Sequence, residues 1–101
     1  MLEQLLRLFR HMQWADASVW SAVMKSDAAR NDPDVIKRLR HSHTVQNAFL
    51  NTWKENSYVP NAGEALSLLE LLQWARDFHG MAQEYLASLN EQSLERQIVV
   101  P

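Results

Sequence analysis

Cysteine is absent from this 101-residue chain, which excludes disulfides, thiolate metal sites and a cysteine nucleophile. Charge of one sign is also lacking: 10 basic and 12 acidic residues leave a net charge of −2, so we expect no nucleic-acid partner. No uncharged apolar run approaches the ~18 residues of a membrane-spanning helix, so we expect no contact with a membrane. Glu3, Arg7 and Arg10 interrupt the N-terminal apolar run, which therefore differs from a signal peptide. We expect a cytoplasmic protein.

Glycine and proline are scarce, with two and three residues, and they cluster between long periodic segments. Within those segments apolar residues recur at about 100° per residue, which is the spacing of one face of an α-helix. The segments span about 2–24, 34–54 and 62–89. We therefore predict three long amphipathic helices in one all-α domain, residues 1–101. Asn61 followed by Glu64 resembles a capping box near the start of the third helix.

Each apolar stripe is wide enough for the core of a helical bundle rather than for a narrow coiled-coil seam. Three helices can form a bundle, but four bury more apolar surface. The last residues, Ile-Val-Val-Pro at 98–101, are apolar and lie outside the three predicted helices, so they need a further apolar surface to pack on. We therefore expect the chain to be truncated at this end. The fourth helix is then expected either from residues outside these 101 or from a second copy, which would make a homodimer.

Polar residues on the apolar faces are the candidate functional residues, because a buried polar group needs a partner. Asp16 lies near the centre of the first stripe, close to its apolar member Trp20, where it either pairs with a neighbouring helix or supports a metal. Gln46 lies near the centre of the second stripe, which includes Val45 and Phe49, and is expected to hydrogen-bond across the bundle. His79, between Ala75 and Ala82 on the third stripe, is either a core histidine or an inner polar group of a site.

Two of the four histidines, His41 and His43, stand in the stretch RLRHSHTVQNAFLNTW, residues 38–53. Residues two apart on a helix point about 200° apart, whereas metal-binding pairs use i, i+3 or i, i+4 spacing. One helix therefore cannot aim both at a single metal. The pattern places them near opposite borders of the second stripe, where each is either a surface residue or a member of a separate site.

Trp14 points away from the first stripe and is a candidate for an interface with a partner. The alternative is a ring half-covered by a loop. The sequence lacks a Gly-rich phosphate loop, a nucleophile elbow and an H-E-x-x-H metal motif, which excludes the enzyme classes built on them. No catalytic residue is assigned on this basis, and whether the chain is an enzyme stays open.

Three stretches, in order, resemble the DinB-like family of metalloproteins, whose fold is a four-helix bundle. The stretch WAD at 14–16 is similar to the Trp-Ala-Asn or Trp-Ala-Asp of the family's first helix. In the second predicted helix only one register of the family pattern fits, and it places His41 on the family histidine. The positions that match after it are Val45, Gln46, Phe49 and Leu50. Residues 68–101 resemble one branch of the family, including its Trp-Ala-Arg and its LERxIxxP ending.

The resemblance implies a divalent metal, commonly zinc or nickel, held by one histidine on the second helix and an H-x-x-x-H pair on the fourth. His41 matches the first ligand, with His43 as the alternative, and the pair has no counterpart in this sequence. Asp16, Gln46 and His79 would then support the site as inner polar groups.

Related members act with a low-molecular-weight thiol such as bacillithiol or mycothiol. The resemblance therefore implies a thiol-dependent transferase or isomerase when the site is complete, with a small thiol as substrate. The alternative function is a non-catalytic helical interaction module that completes its core by homodimerisation.

The resemblance also implies that the second and third helices run parallel and are joined by a long connection. Here the connection KENSYVPN, residues 54–61, is short. Eight extended residues span roughly 26–29 Å, and a 20-residue helix is about 30 Å long. A parallel pair is just within reach and an antiparallel hairpin is easier to form, so both directions stay open.

Overall fold

The computed structural model of the chain describes residues 1–55 and 63–90, and these contain four helices and no strand. The helices are α1 (Leu2–Met24), α2 (Asp27–Arg30), α3 (Pro33–Trp53) and α4 (Leu68–Ala87). The three long helices lie close to the segments that the apolar periodicity predicts, and the all-α fold class is confirmed. None of the helices in the described ranges is long and apolar enough to cross a membrane.

The polar stretch after α1 contains a single helical turn, α2, where the sequence predicts only a connection. The Ser26 hydroxyl accepts from the Ala29 N–H at 3.2 Å and so caps this turn. Asp32 then caps α3 by accepting from the Asp34 N–H at 2.9 Å. Pro33 occupies the first position of α3, where no N–H donor is needed. Two caps in succession therefore turn the chain from α1 into α3.

The start of α4 is set by a capping box formed by Ser67 and Glu70. The Ser67 hydroxyl lies 3.2 Å from the Glu70 N–H, and the Glu70 carboxylate lies 2.9 Å from the Ser67 N–H. Hydrogen bonds with Ser67 lower the pKa of Glu70 because they stabilise its carboxylate. The bond with the Ser67 backbone has the larger effect, and the bond with the Ser67 side chain has the smaller one. The predicted start near residue 62 is wrong: α4 begins at Leu68 and Glu64 lies in a turn, while Asn61 is outside the described residues.

Contacts along α1 show that it runs antiparallel to α3. Trp20, late in α1, hydrogen-bonds to His43 in the middle of α3. Phe9, early in α1, packs its ring 5.8 Å from the ring of Trp53 at the end of α3. Rising residue numbers on one helix therefore meet falling numbers on the other.

Contacts along α3 show that it runs parallel to α4. The Arg40 guanidinium, in the first half of α3, donates to the carbonyls of Gly63 and Leu66, just before α4, at 3.0 Å each. Near the other end the Tyr85 hydroxyl donates to the Trp53 carbonyl at 3.1 Å. Of the two directions that the sequence leaves open, the structure has the parallel one.

The core consists of two apolar clusters with a polar layer between them. One cluster contains Trp20, Val23, Leu39, Leu71 and Ala75. The other contains Leu50, Phe78 and Ala82, with Phe9 and Tyr85 packed against it. Each cluster joins α1, α3 and α4, so the three long helices share one core that is apolar towards both ends.

The buried face of α3 is rotated from the stripe that the sequence predicts. Val45 and Phe49, assigned to the stripe, are exposed, and Phe49 is 62% exposed. His43 and Asn47, which lie outside the stripe or at its border, are buried. Val45 and Phe49 instead line an apolar groove between α1 and α3, so an apolar side chain on α3 does not by itself mark the core.

Candidate functional site

Five side chains from α1, α3 and α4 form a continuous chain of hydrogen bonds between the two apolar clusters. Trp20 Nε1 lies 2.9 Å from His43 Nε2, and His43 Nδ1 lies 2.8 Å from Gln46 Oε1. Gln46 Nε2 lies 2.8 Å from Asp16 Oδ2, and the same oxygen lies 2.7 Å from His79 Nε2. These five side chains are the polar chain, and they tie the three long helices together.

Each bond in the polar chain has one direction of proton donation. The Trp20 indole N–H can only donate, so His43 Nε2 accepts and His43 carries its proton on Nδ1. That Nδ1–H donates to the Gln46 carbonyl, which leaves the Gln46 amide to donate to Asp16. Because an ionised carboxylate only accepts, His79 Nε2–H donates to the same Asp16 oxygen. The network therefore fixes the tautomer of His43.

The end of the polar chain formed by Trp20 and His43 is buried, and each of its side-chain nitrogens has a partner. His43 is 1% exposed, and both of its ring nitrogens are used. Asn47, also buried, lies one turn away and donates to the His43 carbonyl at 2.9 Å. Among the described residues no buried side-chain nitrogen or oxygen lacks a partner. A buried nitrogen or oxygen without a hydrogen-bond partner would cost about 1–3 kcal/mol of stability. Complete pairing therefore allows these polar side chains to be buried.

The Asp16–His79 pair ends the polar chain at the junction of α1 and α4. His79 is buried, and Asp16 is partly exposed. Both line a groove of about 500 Å³ between these helices, the α1–α4 groove. A carboxylate that accepts from an imidazole N–H fixes the orientation of the ring, as a histidine that binds a ligand or transfers a proton requires. This pair is where the polar chain reaches a surface that small molecules can enter.

A second groove of about 440 Å³, the α1–α3 groove, is apolar and is lined in part by Phe78 of α4. Its walls include Leu8 and Phe49, which are 53% and 62% exposed. Gln46 is its one polar lining residue among those described. Since α1 and α3 both pack on α4, a fourth helix placed opposite α4 would lie in this groove.

The predicted site residues fall into two groups. Asp16, Gln46 and His79 come together in the polar chain. His43 joins them as a buried residue, so its placement at the border of the stripe is wrong. His41 is exposed and takes no part in the polar chain.

Trp14 lies on a third surface, away from both grooves. It is 65% exposed, and its ring stacks on His11 with centroids 5.8 Å apart. It lines neither the α1–α3 groove nor the α1–α4 groove. The interface that the sequence predicts at Trp14 stays a prediction, and it concerns a surface distinct from the two grooves.

The metal site that the resemblance implies is not complete within residues 1–55 and 63–90. These residues contain no group of three or more His, Cys, Asp or Glu side chains that could hold a metal ion. His43, the alternative ligand, already uses both ring nitrogens. The described part of the chain therefore offers His41 as one ligand, and the others would have to come from elsewhere.

The apolar pattern of the sequence does not predict the bond between Trp20 and His43. The pattern places Trp20 in the first stripe as an apolar residue and His43 near a border of the second stripe. The signal that could have found the bond is the indole itself, because a buried tryptophan usually needs an acceptor for its N–H. A histidine near the facing stripe was an available acceptor.

Comparison with protein-family models, with curated proteins and with solved structures finds no match for this chain. These comparisons therefore add nothing to the sequence motifs that carry the resemblance to the DinB-like family. A function has to be inferred from the polar chain, the two grooves and the directions of the helices.

Proposed function

We propose that this chain is a DinB-like protein that binds a divalent metal, with His41 as one ligand. The observation that carries the proposal is the parallel direction of α3 and α4, shown by the contacts of Arg40 and Tyr85 at their two ends. The resemblance implies this direction, whereas a short connection on its own would favour an antiparallel hairpin. The direction thus supports the resemblance independently of the motifs.

The position of His41 is compatible with that role. His41 is exposed, one helical turn before Val45, which lines the α1–α3 groove. A fourth amphipathic helix in this groove would complete a four-helix bundle and could bring two further ligands at i, i+4 spacing to the same end. A metal held there would polarise a bound thiol or water. That chemistry agrees with the thiol-dependent transferase or isomerase activity that the resemblance implies.

Metal titration tests this proposal. We expect Zn²⁺ or Ni²⁺ to bind the wild-type chain, with the further ligands supplied by a second copy or by residues outside the described ranges. Binding should raise the melting temperature, and His41→Ala should abolish both effects. His11→Ala is the matched control, because His11 is also an exposed helical histidine, and it should keep both effects. A wild-type chain that purifies without metal, and whose melting temperature responds to neither ion, would rule out this role for His41.

A second candidate function, a non-catalytic interaction module, is favoured by the α1–α3 groove itself. We propose that a second copy of the chain covers this groove. Leu8 and Phe49 project from its walls, while Leu5 and Leu50 lie among its less exposed lining residues. One surface thus offers both protruding side chains and a cavity to receive them, which a two-fold interface between identical chains requires.

Sedimentation at micromolar concentration tests the homodimer. We expect the wild type to be a dimer and Phe49→Gln to be a monomer. Leu69→Gln is the control, because Leu69 is 66% exposed on α4 and lies outside the groove, and it should remain a dimer. Trp14→Gln separates the groove from the interface that the sequence predicts, and it should also remain a dimer. A stable, folded wild-type monomer would contradict the proposal.

A further inference from the structure

The α1–α4 groove has the size and lining of a small-molecule site. Its volume of about 500 Å³ lies within the roughly 300–1,000 Å³ typical of ligand pockets. Its apolar part includes Ala17, Met24 and Leu72, together with the Trp20 ring. Its polar lining residues are Gln13, Asp16, Ser21, Arg76 and His79, of which Asp16 is the one acidic residue among those described. Apolar surface combined with polar groups at fixed positions is what orients a bound small molecule.

Asp16 has one oxygen, Oδ1, that accepts no hydrogen bond from the described residues. Both of its described hydrogen bonds, from Gln46 and from His79, end on Oδ2. No described residue donates to Oδ1, and its side chain is 24% exposed. Since no buried side-chain oxygen of the described residues lacks a partner, Oδ1 is open to solvent rather than sealed. The two bonds on Oδ2 hold the carboxylate in one orientation. Because Asp16 lines the α1–α4 groove, Oδ1 is the acceptor that it can offer to a molecule bound there.

The charges around Asp16 indicate what Oδ1 would accept. A carboxylate binds a cationic N–H donor more strongly than a neutral one, because the hydrogen bond is charge-assisted. Trp20 also lines the groove, and the face of an aromatic ring attracts a cation rather than an anion. Arg76 also lines the groove, but it is exposed, so its repulsion of a cation is screened by solvent and salt.

We propose that the α1–α4 groove binds a small primary amine with an apolar body. The ammonium group donates to Asp16 Oδ1, and the apolar body packs against Ala17, Met24 and Leu72. This site is separate from His41 and from the α1–α3 groove. It does not depend on metal binding or on dimerisation, so its test is independent of theirs.

Three probes of nearly equal shape test the site: phenethylamine, phenethyl alcohol and 3-phenylpropionate, which carry positive, zero and negative charge. Titration of each into the full chain is followed by the NMR resonance of the Trp20 indole N–H. We expect phenethylamine to shift this resonance with saturation and to bind at least about tenfold more tightly than the alcohol, because the bond to Asp16 is charge-assisted. Equal affinity of the two, or tightest binding of 3-phenylpropionate, would overturn the proposal.

Two variants locate the binding. Ala17→Phe fills the groove from an exposed position that makes no bond to the polar chain, and it should abolish amine binding while the chain stays folded. Asp16→Asn removes the charge and should weaken amine binding at least about tenfold. Asp77→Asn is its matched control, because Asp77 is exposed on α4 and bonds only Gln73, and it should leave the affinity unchanged.

The variants also keep the test decisive if Asp16→Asn does not fold. In that case Ala17→Phe and the three probes decide, since neither removes a member of the polar chain. Unchanged amine affinity in Ala17→Phe would show that the amine binds elsewhere and would overturn the proposal.

Discussion

At the scale of single residues, Trp20 is used both as an apolar ring and as a hydrogen-bond donor. Its ring belongs to the apolar cluster shared by the three long helices, and its N–H supplies the donor for His43 Nε2. Trp20→Phe keeps most of the ring and leaves His43 Nε2 buried without a donor. We expect a loss of about 1–3 kcal/mol in the free energy of unfolding, measured by denaturant titration.

The matched control for this change is Trp14→Phe on the same helix. Trp14 is largely exposed and outside the core, so its replacement should change the free energy of unfolding by less than about 0.5 kcal/mol. Equal losses in the two variants would contradict a stabilising role for the buried Trp20 side chain and its bond to His43.

His43 provides a direct test of the polar chain. Because the indole can only donate, neutral His43 should carry its proton on Nδ1 and accept at Nε2. The nitrogen chemical shifts of the ring, read from long-range proton–nitrogen NMR spectra, distinguish the two tautomers. We expect the Nδ1–H form in the wild type and a change in the Nε2 shift in Trp20→Phe. An Nε2–H tautomer in the wild type would contradict the described network.

The sequence could indicate which polar residues lie inside, but not how they are connected. Asp16, Gln46 and His79 stand on apolar stripes, and they do lie together in the structure. The burial of His43 could not be predicted in this way, because Val45 and Phe49 are apolar but line the α1–α3 groove. Including them in the stripe of α3 rotated its predicted buried face away from His43. Burial of His43 depends on partners that lie on another helix.

At the scale of helices and turns, the two glycines play opposite roles. Gly80 lies in the exposed interior of α4, where an added Cβ would meet nothing within 4 Å. Gly63 lies just before α4, where an added Cβ would stand 2.6 Å from Cζ3 of Trp74. Gly63 also accepts the Arg40 hydrogen bond that holds α3 beside the start of α4. The space around each glycine therefore decides the sign of an alanine substitution.

We expect Gly80→Ala to stabilise the chain by about 0.5–1 kcal/mol, because alanine loses less conformational freedom in a helix. We expect Gly63→Ala to destabilise it by about 1–3 kcal/mol, because the Trp74 ring or the backbone must move. Thermal and denaturant unfolding of the two variants give both values. Stabilisation by Gly63→Ala would show that the Trp74 ring can move away from the added Cβ at little cost in free energy.

The helix boundaries show what local patterns can and cannot predict. α1 matches its predicted segment because its apolar repeat runs unbroken from one end to the other. α4 begins later than predicted because Ser67 and Glu70 cap it, although Asn61 and Glu64 have the same spacing in the sequence. Two candidate capping boxes of equal form cannot be ranked by spacing alone. The choice depends on contacts with α3, such as the hydrogen bonds of Arg40 to the carbonyls of Gly63 and Leu66 just before α4.

At the scale of the whole molecule, this boundary changes which topology is reachable. With α3 ending at Trp53 and α4 beginning at Leu68, the connection covers residues 54–67, which is 14 residues. Fourteen extended residues can span roughly 46–50 Å, well beyond the length of either helix. A return along the full helix is then unstrained. The sequence left both directions open because the predicted connection of eight residues only just reaches the length of a helix, whereas the connection in the structure has 14 residues.

The parallel direction can be tested in solution, because the chain has no cysteine and accepts a single spin label at a chosen site. A label at Thr52→Cys, exposed near the end of α3, should broaden amide resonances around Tyr85 most strongly and spare those around Leu68. A label at Arg38→Cys, exposed near the start of α3, should do the reverse. An antiparallel hairpin would exchange the two patterns. That outcome would also remove the structural support for the DinB-like proposal, because a parallel α3 and α4 is the feature on which it rests.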